Sequence, residues 1–191
     1  MAFAETAYYK EKFSALALSG ETVPSVRFES CTFSECRIVD CKLEKCVFID
    51  CNFEGCTLSA VNPDKSRFLQ PGFHHCKVMG FDWAKAAKLQ DFSFDECQLD
   101  YSNFSSLQFP KIRMVKCSAK EARFVETDMI DGVFTGTDFQ GSTIFKSNFT
   151  RADFRQAKNY SIDVRNNVIK NARFSLPEAL SLLYGLEIEI E

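Results

Sequence analysis

The chain has 191 residues with a formal net charge of −3 at pH 7, and 46% of the residues are hydrophobic. This length predicts one domain, and we expect neither a membrane span nor a secretory signal. No apolar run approaches about 18 residues, and Met1 to Tyr9 lacks a basic start and an apolar core. Nine cysteines without such a signal predict reduced thiols in a cytoplasmic protein.

The first 25 residues precede the regular pattern that fills most of the chain. They hold aromatic and aliphatic residues, among them Tyr8, Phe13 and Leu18, but no motif with a specific chemistry. We therefore expect residues 1–25 to form an N-terminal cap that plugs the end of the domain.

Most of the chain carries an apolar residue at every fifth position. The series starts at Phe28, slips by one residue after Trp83 and continues to Phe174. Only Pro63 and Asn159 interrupt it, and every cysteine lies two residues before one of its members. Side-chain direction repeats every 3.6 residues in a helix and every 2.0 in a strand, so neither element explains a period of five.

A period of five predicts a chain that turns a corner at each repeat. About four corners close a square, and stacked squares pair each short strand with another about twenty residues away. The apolar residue and the residue two positions before it then point inward, and the other three point outward. The predicted fold is an all-β solenoid, a quadrilateral β-helix over residues 26–175, whose interior is filled by ladders made mostly of Phe, of which the chain has 20.

Two segments depart from this pattern. The slip falls between Met79 and Asp91 and predicts a loop or bulge there, which is either a tolerated insertion or a surface that contacts a partner. Further along, Ser175 to Glu178 has the form of a capping box, and the last six residues alternate apolar and acidic. Residues 176–191 are therefore predicted to form a helix and a short strand that cap the solenoid.

The same C-terminal segment is a candidate for dimerisation, because its apolar side chains exceed what one end of a coil can cover. A twofold contact is the most common way to form an oligomer. The residues predicted to form the dimer interface are Leu180, Leu183, Leu186, Ile188 and Ile190.

The cysteines occupy the inward positions, where burial disfavours a thiolate. The favoured interpretation is that they pack as small apolar residues, and zinc binding or redox chemistry is the alternative. The only histidines are His74 and His75, and no pair of cysteines has a Cys-x2-Cys spacing. No nucleophile elbow, phosphate loop or dinucleotide fingerprint occurs, so we expect no metal, no cofactor and no enzymatic activity.

Short runs within the repeat resemble the pentapeptide-repeat consensus, in which a small residue and a polar residue precede Leu or Phe. Examples are Cys51 to Gly55, Ala122 to Glu126 and Ala152 to Gln156. Members of that family fold as right-handed quadrilateral β-helices, so the resemblance implies this handedness.

Within that family, a β-helix of this size with one internal loop and a terminal apolar segment is similar to the Qnr, MfpA and albicidin-resistance group. The pairs Asn159-Tyr160 and Ile162-Asp163, followed by Ala172 to Ala179, look most like the albicidin-resistance member. The resemblance implies a rod-shaped homodimer that binds DNA gyrase or topoisomerase IV as a partial DNA mimic and protects it from quinolone-like or albicidin-like inhibitors. The alternative is a scaffold for another cytosolic partner, unrelated to topoisomerases.

The charge balance limits both DNA mimicry and DNA binding. Residues 176–191 contain four acids and no base, so the rest of the chain sums to +1 within the net charge of −3. A duplex carries one charge about every 1.7 Å of its axis, and a close mimic needs a dense anionic face. Direct nucleic-acid binding is disfavoured because no face is evidently basic. The residues predicted to contact a partner are Lys85, Lys88, Glu121, Glu126, Asp128, Asp131 and Asp138.

Overall fold

The computed structural model describes residues 3–186 and residue 188. In this range the backbone turns a corner about every five residues, and its short strands pair in parallel with strands of the neighbouring coils. The chain is a right-handed quadrilateral β-helix, as the sequence predicted. No helix in the described part of the chain has the length and hydrophobicity needed to cross a membrane.

The described residues contain nineteen strands of three residues each, on four faces that we name A to D in the order in which the chain meets them. Face A holds β1 (Ala7–Tyr9), β5 (Arg27–Glu29), β9 (Val47–Ile49), β12 (Arg67–Leu69) and β15 (Lys88–Gln90). Face B holds β2 (Lys12–Ser14), β6 (Thr32–Ser34), β10 (Asn52–Glu54), β13 (Gly72–His74), β16 (Ser93–Asp95) and β17 (Arg113–Val115). Face C holds β3 (Ala17–Ser19), β7 (Arg37–Val39), β11 (Thr57–Ser59) and β14 (Lys77–Met79). Face D holds β4 (Thr22–Pro24), β8 (Lys42–Glu44), β18 (Arg123–Val125) and β19 (Thr143–Phe145). Later coils continue the faces through isolated bridges, such as that of Asp153 with Arg173 on face B.

Strands of neighbouring coils pair in register, so that like positions stack. On face B, Phe53 lies between Phe33 and Phe73, with ring centroids 4.8 and 4.7 Å apart and the rings nearly parallel. All three side chains are at most 1% exposed. The middle residue of each strand, which we call the central residue, therefore fills the core as predicted.

The solenoid begins one coil earlier than the sequence predicted. β1 to β4 pair with β5 to β8, and Tyr8 lies opposite Phe28. Residues 7–24 thus form a complete coil, and the expectation of a separate cap over residues 1–25 is corrected.

The reason for this error lies in the inner positions of the first coil. The five-residue series of central residues extends through this coil. At two of the positions that lie two residues before a central residue, however, the chain has Glu11 and Glu21. Both glutamates are exposed because no earlier coil lies beneath them. The open end is covered by Phe3, whose ring packs against Tyr8, Phe13 and Phe28.

The slip in the repeat lies at the corner between faces D and A. Arg67 pairs with Lys88, an offset of 21 residues, whereas Ser93 pairs with Arg113 at an offset of 20. The extra residue is accommodated by a 3-10 helix, Trp83–Lys85. Backbone hydrogen bonds from Lys65 and Ala87 hold this corner to the coil, so the structure has a bulge here and no projecting loop.

Each corner is made by the residue two positions after a central residue, and at most corners this residue has a positive φ. Lys45 and Lys65, for example, have φ values of 55° and 54°. Glycine adopts this conformation most readily, yet most corners carry a longer side chain. Corner side chains of successive coils therefore stand in outward-facing columns.

The inner residues, two positions before the central residues, link one coil to the next through their side chains. The hydroxyl of Ser66 accepts a hydrogen bond from the Cys46 N–H at 2.9 Å and donates one to the Leu43 carbonyl at 2.7 Å. The Cys56 thiol repeats this arrangement, since it accepts from the N–H of the cysteine one coil earlier at 3.4 Å and donates to the Phe33 carbonyl at 3.2 Å. The cysteines thus satisfy buried backbone groups in addition to filling space.

Several corners in the C-terminal half are closed by a backbone hydrogen bond. The N–H of Ala152 donates to the carbonyl of Phe149 at 3.0 Å, and Ala157 bonds to Phe154 in the same way. This backbone bond satisfies the central carbonyl without help from a side chain, so alanine suffices at the inner position.

The C-terminal segment is a 3-10 helix, Glu178–Leu186, in place of the amphipathic α-helix that the apolar spacing indicated. In a 3-10 helix every third side chain lies on one face, and Ala179, Leu182 and Gly185 share this spacing. A Cβ added to Gly185 would lie 3.0 Å from the Asp163 carboxylate, which shows how closely the helix approaches the last coil. Gly185 therefore lies within the helix and does not end it.

The predicted capping box is also absent at this helix. The Ser175 hydroxyl accepts from the N–H of Gln156 at 3.2 Å, and the Glu178 carboxylate accepts from the N–H of Asn159 at 3.2 Å. Both side chains bond to the last coil because its amides have no further coil to pair with. Of the predicted final strand, Leu186 belongs to this helix, and residues 187 and 189–191 lie outside the described residues.

Candidate functional site

The five predicted acidic contact residues do not share one surface. Asp128 lies on face A, and Glu126 and Asp131 occupy the two corners that border it. Asp138 lies on face C, and Glu121 occupies the corner between faces C and D. The structure therefore divides these acids into an acidic patch of Glu126, Asp128 and Asp131 and a second pair on another side of the rod.

Bases one coil away neutralise most of these acids. Arg151 donates two hydrogen bonds of 2.7 Å to Asp131, which holds the pKa of this carboxyl below its usual value. The other pairs are Lys120 with Asp138 at 3.2 Å and Lys146 with Glu126 at 3.9 Å. Over the described residues, the outer faces form a patchwork of ion pairs within and between coils, without a continuous anionic stripe.

The two predicted basic contact residues belong to a larger cluster. Lys85 lies in the column of corner residues between faces D and A, and Lys88 lies on face A beside it. The other members were not predicted from the sequence, although their spacing of 20 or 21 residues was the signal. We call the cluster of Lys45, Lys65, Arg67, Lys85 and Lys88 the basic ridge.

Apolar side chains remain exposed at the C-terminal end of the rod. Leu176, Leu180, Tyr184, Leu186 and Ile188 have between 43 and 79% of their surface accessible. Among the predicted interface residues, Leu180, Leu186 and Ile188 belong to this exposed group. Leu183 is half-buried, and Ile190 lies outside the described residues.

All nine cysteines are buried and unpaired in the structure. Burial raises the pKa of the Cys51 thiol to about 12 and also raises that of Cys46, so these thiols stay protonated at neutral pH. Among residues 3–186 and 188, no group of three or more His, Cys, Asp or Glu side chains could hold a metal ion.

The two histidines belong to the ion-pair ladders on the outside of face B. His75 Nδ1 lies 2.9 Å from the Glu54 carboxylate, and Nε2 lies 3.3 Å from that of Glu96. The hydrogen bond with Glu54 raises the pKa of His75. His74 lies 3.6 Å from Asp95. Each histidine thus faces carboxylates of the neighbouring coils.

The fold is shared with solved structures of low sequence identity. Two trypsin-treated variants of QnrB1, a plasmid-mediated fluoroquinolone resistance protein, match with TM-scores of 0.51 and 0.50 at 23% identity. Each match covers 94% of this chain and 99% of the other. HetL, a pentapeptide repeat protein involved in heterocyst differentiation regulation from the cyanobacterium Nostoc, matches with a TM-score of 0.44 at 9% identity, over 88% of this chain and 87% of the other.

The repeats themselves identify the family. No curated protein matches the chain at a significant level of sequence similarity. The family described as Pentapeptide repeat region matches residues 46–124, and the family described as Pentapeptide repeats (8 copies) matches residues 26–62 and 122–158. Together these matches extend over residues 26–158, well over half of the chain, and the chain therefore belongs to the pentapeptide-repeat family.

Proposed function

We propose that this chain is a non-enzymatic binding protein that contacts a type II topoisomerase, such as DNA gyrase, along an outer face of the rod. It would thereby protect that enzyme from quinolone-like or albicidin-like inhibitors in the cytoplasm. The observation that carries the proposal is the extent of the likeness to QnrB1, a fluoroquinolone resistance protein, over 94% of this chain and 99% of that one.

The partial DNA mimicry in this proposal is local. It rests on the acidic patch, where the side chains of Glu126 and Asp131 remain 59% and 35% exposed. Their partners Lys146 and Arg151 hold them in surface ion pairs, which contribute about 0 to 1 kcal/mol each. A basic surface of the topoisomerase can therefore replace these bases at little cost.

Neutralising the acidic patch tests this proposal. We expect the triple variant Glu126→Gln, Asp128→Asn, Asp131→Asn to need about tenfold more protein for the same effect on gyrase, because three charge contacts of about 0.5 kcal/mol each are lost. The measurement is DNA supercoiling by purified gyrase, with and without a fluoroquinolone, at increasing protein concentration.

A matched control removes three acids from other sides of the rod. Glu35→Gln, Asp40→Asn and Asp100→Asn change the net charge equally and should leave the effect on gyrase unchanged. If the unaltered protein neither inhibits nor protects gyrase at micromolar concentration, the topoisomerase is not its partner.

The homodimer forms, in this proposal, through the C-terminal end. Leu180 and Leu186 are exposed there beside Leu176, Tyr184 and Ile188, and a twofold contact would bury all five on both protomers. Of the nine large hydrophobic side chains that are exposed in the described part of the chain, five lie at this end, where a second copy can cover them together.

Charged substitutions at this end should give monomers. For Leu180→Glu with Leu186→Glu we expect light scattering to report the monomer mass of 21.7 kDa, whereas the unaltered chain gives twice that mass. Tyr101→Glu, at a side chain that is 65% exposed on the middle of the rod, is the control and should remain dimeric. A dimer that survives the double substitution would place the interface elsewhere.

The patchwork of ion pairs favours a second candidate function. A rod whose surface carries acids and bases side by side can be recognised by a partner with complementary charges, and a scaffold for another cytosolic partner would use this surface directly. This candidate is favoured if gyrase is unaffected while the dimer is intact.

A further inference from the structure

We propose that the basic ridge is a separate binding surface that takes the phosphate backbone of a nucleic acid. The ridge lies on the corner between faces D and A, in the N-terminal half of the rod, whereas the acidic patch lies in the C-terminal half. The inference therefore goes beyond the contact with a topoisomerase and is tested without that enzyme.

The fold assembles the ridge from residues that are distant in sequence. Lys45, Lys65 and Lys85 stand in one column, where the N–H of Lys65 donates to the carbonyl of Lys85 at 3.0 Å. Successive coils are about 4.8 Å apart, so the backbone positions of the three lysines form a straight row. Arg67 pairs with Lys88 in the adjoining column of face A and adds a second row.

Acids near the ridge leave much of its charge unpaired. Lys45 lies 3.9 Å from Glu44, and Lys85 lies 3.4 Å from Asp82, but both lysine side chains remain more than half exposed. Asp64 is held by Lys42 at 2.9 Å, on the other side of the corner. Within the described residues, the exposed side chains of Lys65, Arg67 and Lys88 have no ion-pair partner.

The spacing of the ridge favours a phosphate backbone over an acidic protein surface. Two coil spacings give the lysine column a length of about 10 Å. One strand of a duplex carries a phosphate about every 3.4 Å, so about three phosphates lie along this length. A regular row of cations complements a polymer with regularly repeated charges, whereas the carboxylates on most folded protein surfaces are not arranged in such a repeat. Lysine and arginine are also the usual donors to phosphate oxygens.

The salt dependence of DNA binding tests the proposal. With three unpaired bases, the affinity for a duplex should fall about 40-fold between about 50 and about 200 mM salt, with a slope of about −2.7 in log K against log salt. A single strand should give a slope of about −2.1. The measurement is fluorescence anisotropy of a labelled duplex and of its single strand, titrated with the full chain.

Two triple variants that remove the same number of positive charges distinguish binding by the basic ridge from nonspecific attraction by the overall charge of the protein. Lys65→Gln, Arg67→Gln and Lys88→Gln should reduce the slope to near zero and abolish measurable binding at about 200 mM salt. Lys77→Gln, Arg113→Gln and Lys116→Gln replace the same residue types on faces B and C and at the corner between them, and should bind as the unaltered chain does. Far-UV circular dichroism of all variants verifies that the fold is retained.

Three results would overturn the proposal. One is the absence of binding to either probe at low salt, and another is equal weakening by the two triple variants. The third is displacement of the DNA by poly-glutamate at equal charge concentration, which would assign the ridge to an acidic protein partner.

Discussion

Replacing Phe53 with alanine should lower the free energy of unfolding by about 3 to 5 kcal/mol. The ring is 1% exposed and lies in a parallel stack between Phe33 and Phe73. The cavity left by the ring cannot collapse, because backbone hydrogen bonds on both sides of the strand, of 2.9 and 3.0 Å, fix the distance between coils. The loss should therefore lie near the upper end of the range for a buried phenylalanine.

Equilibrium urea denaturation measures this effect, and an outward-facing phenylalanine provides the control. Phe145 is 40% exposed on face D, one position after a central residue, and Phe145→Ala should cost less than about 1 kcal/mol. If Phe53→Ala costs no more than Phe145→Ala, the assignment of inward and outward positions is wrong.

Replacing Ser66 with alanine should cost about 2 to 4 kcal/mol, although only one oxygen atom is lost. The Cys46 N–H and the Leu43 carbonyl both bond to the Ser66 hydroxyl, which is fully buried. Each would be left without a partner in the core, at a cost of about 1 to 3 kcal/mol.

Two further serine variants test whether this cost comes from the hydrogen bonds. Ser66→Cys keeps a group that donates and accepts, as the cysteines do in other coils, and should cost less than about 1 kcal/mol. The Ser142 hydroxyl is buried without a partner, so Ser142→Ala should be neutral or stabilising. Equal losses for Ser66→Ala and Ser142→Ala would show that the hydroxyl bridge between coils contributes nothing.

The period of five was sufficient to predict the solenoid, its core and the position of the bulge, because each inward residue follows from the spacing alone. The start of the solenoid was missed since Glu11 and Glu21 do not resemble inner residues, and only the absence of a coil beneath them explains why they are tolerated. The 3-10 form of the C-terminal segment was also missed, because its close approach to the last coil depends on tertiary contacts at Gly185.

The candidate site was less predictable than the fold. Acids that are near one another in sequence, such as Asp131 and Asp138, lie on different sides of the rod because seven residues of chain pass more than one corner. Conversely, Lys45 and Lys65 are twenty residues apart and stand one above the other. Charge clusters on this fold have to be sought at intervals of about twenty residues and not along the chain.

The offset of about twenty residues also restricts how such a chain can change its length. A single inserted pentad would keep the core intact, because corners recur every five residues, but it would rotate every later residue by one face. An insertion after Lys65 would separate Lys85 from its column and divide the basic ridge. The extra residue at Trp83–Lys85 changes the numbering without rotating any face. Gain or loss of a whole coil is therefore the step by which a rod of this kind can change length and keep its surface pattern.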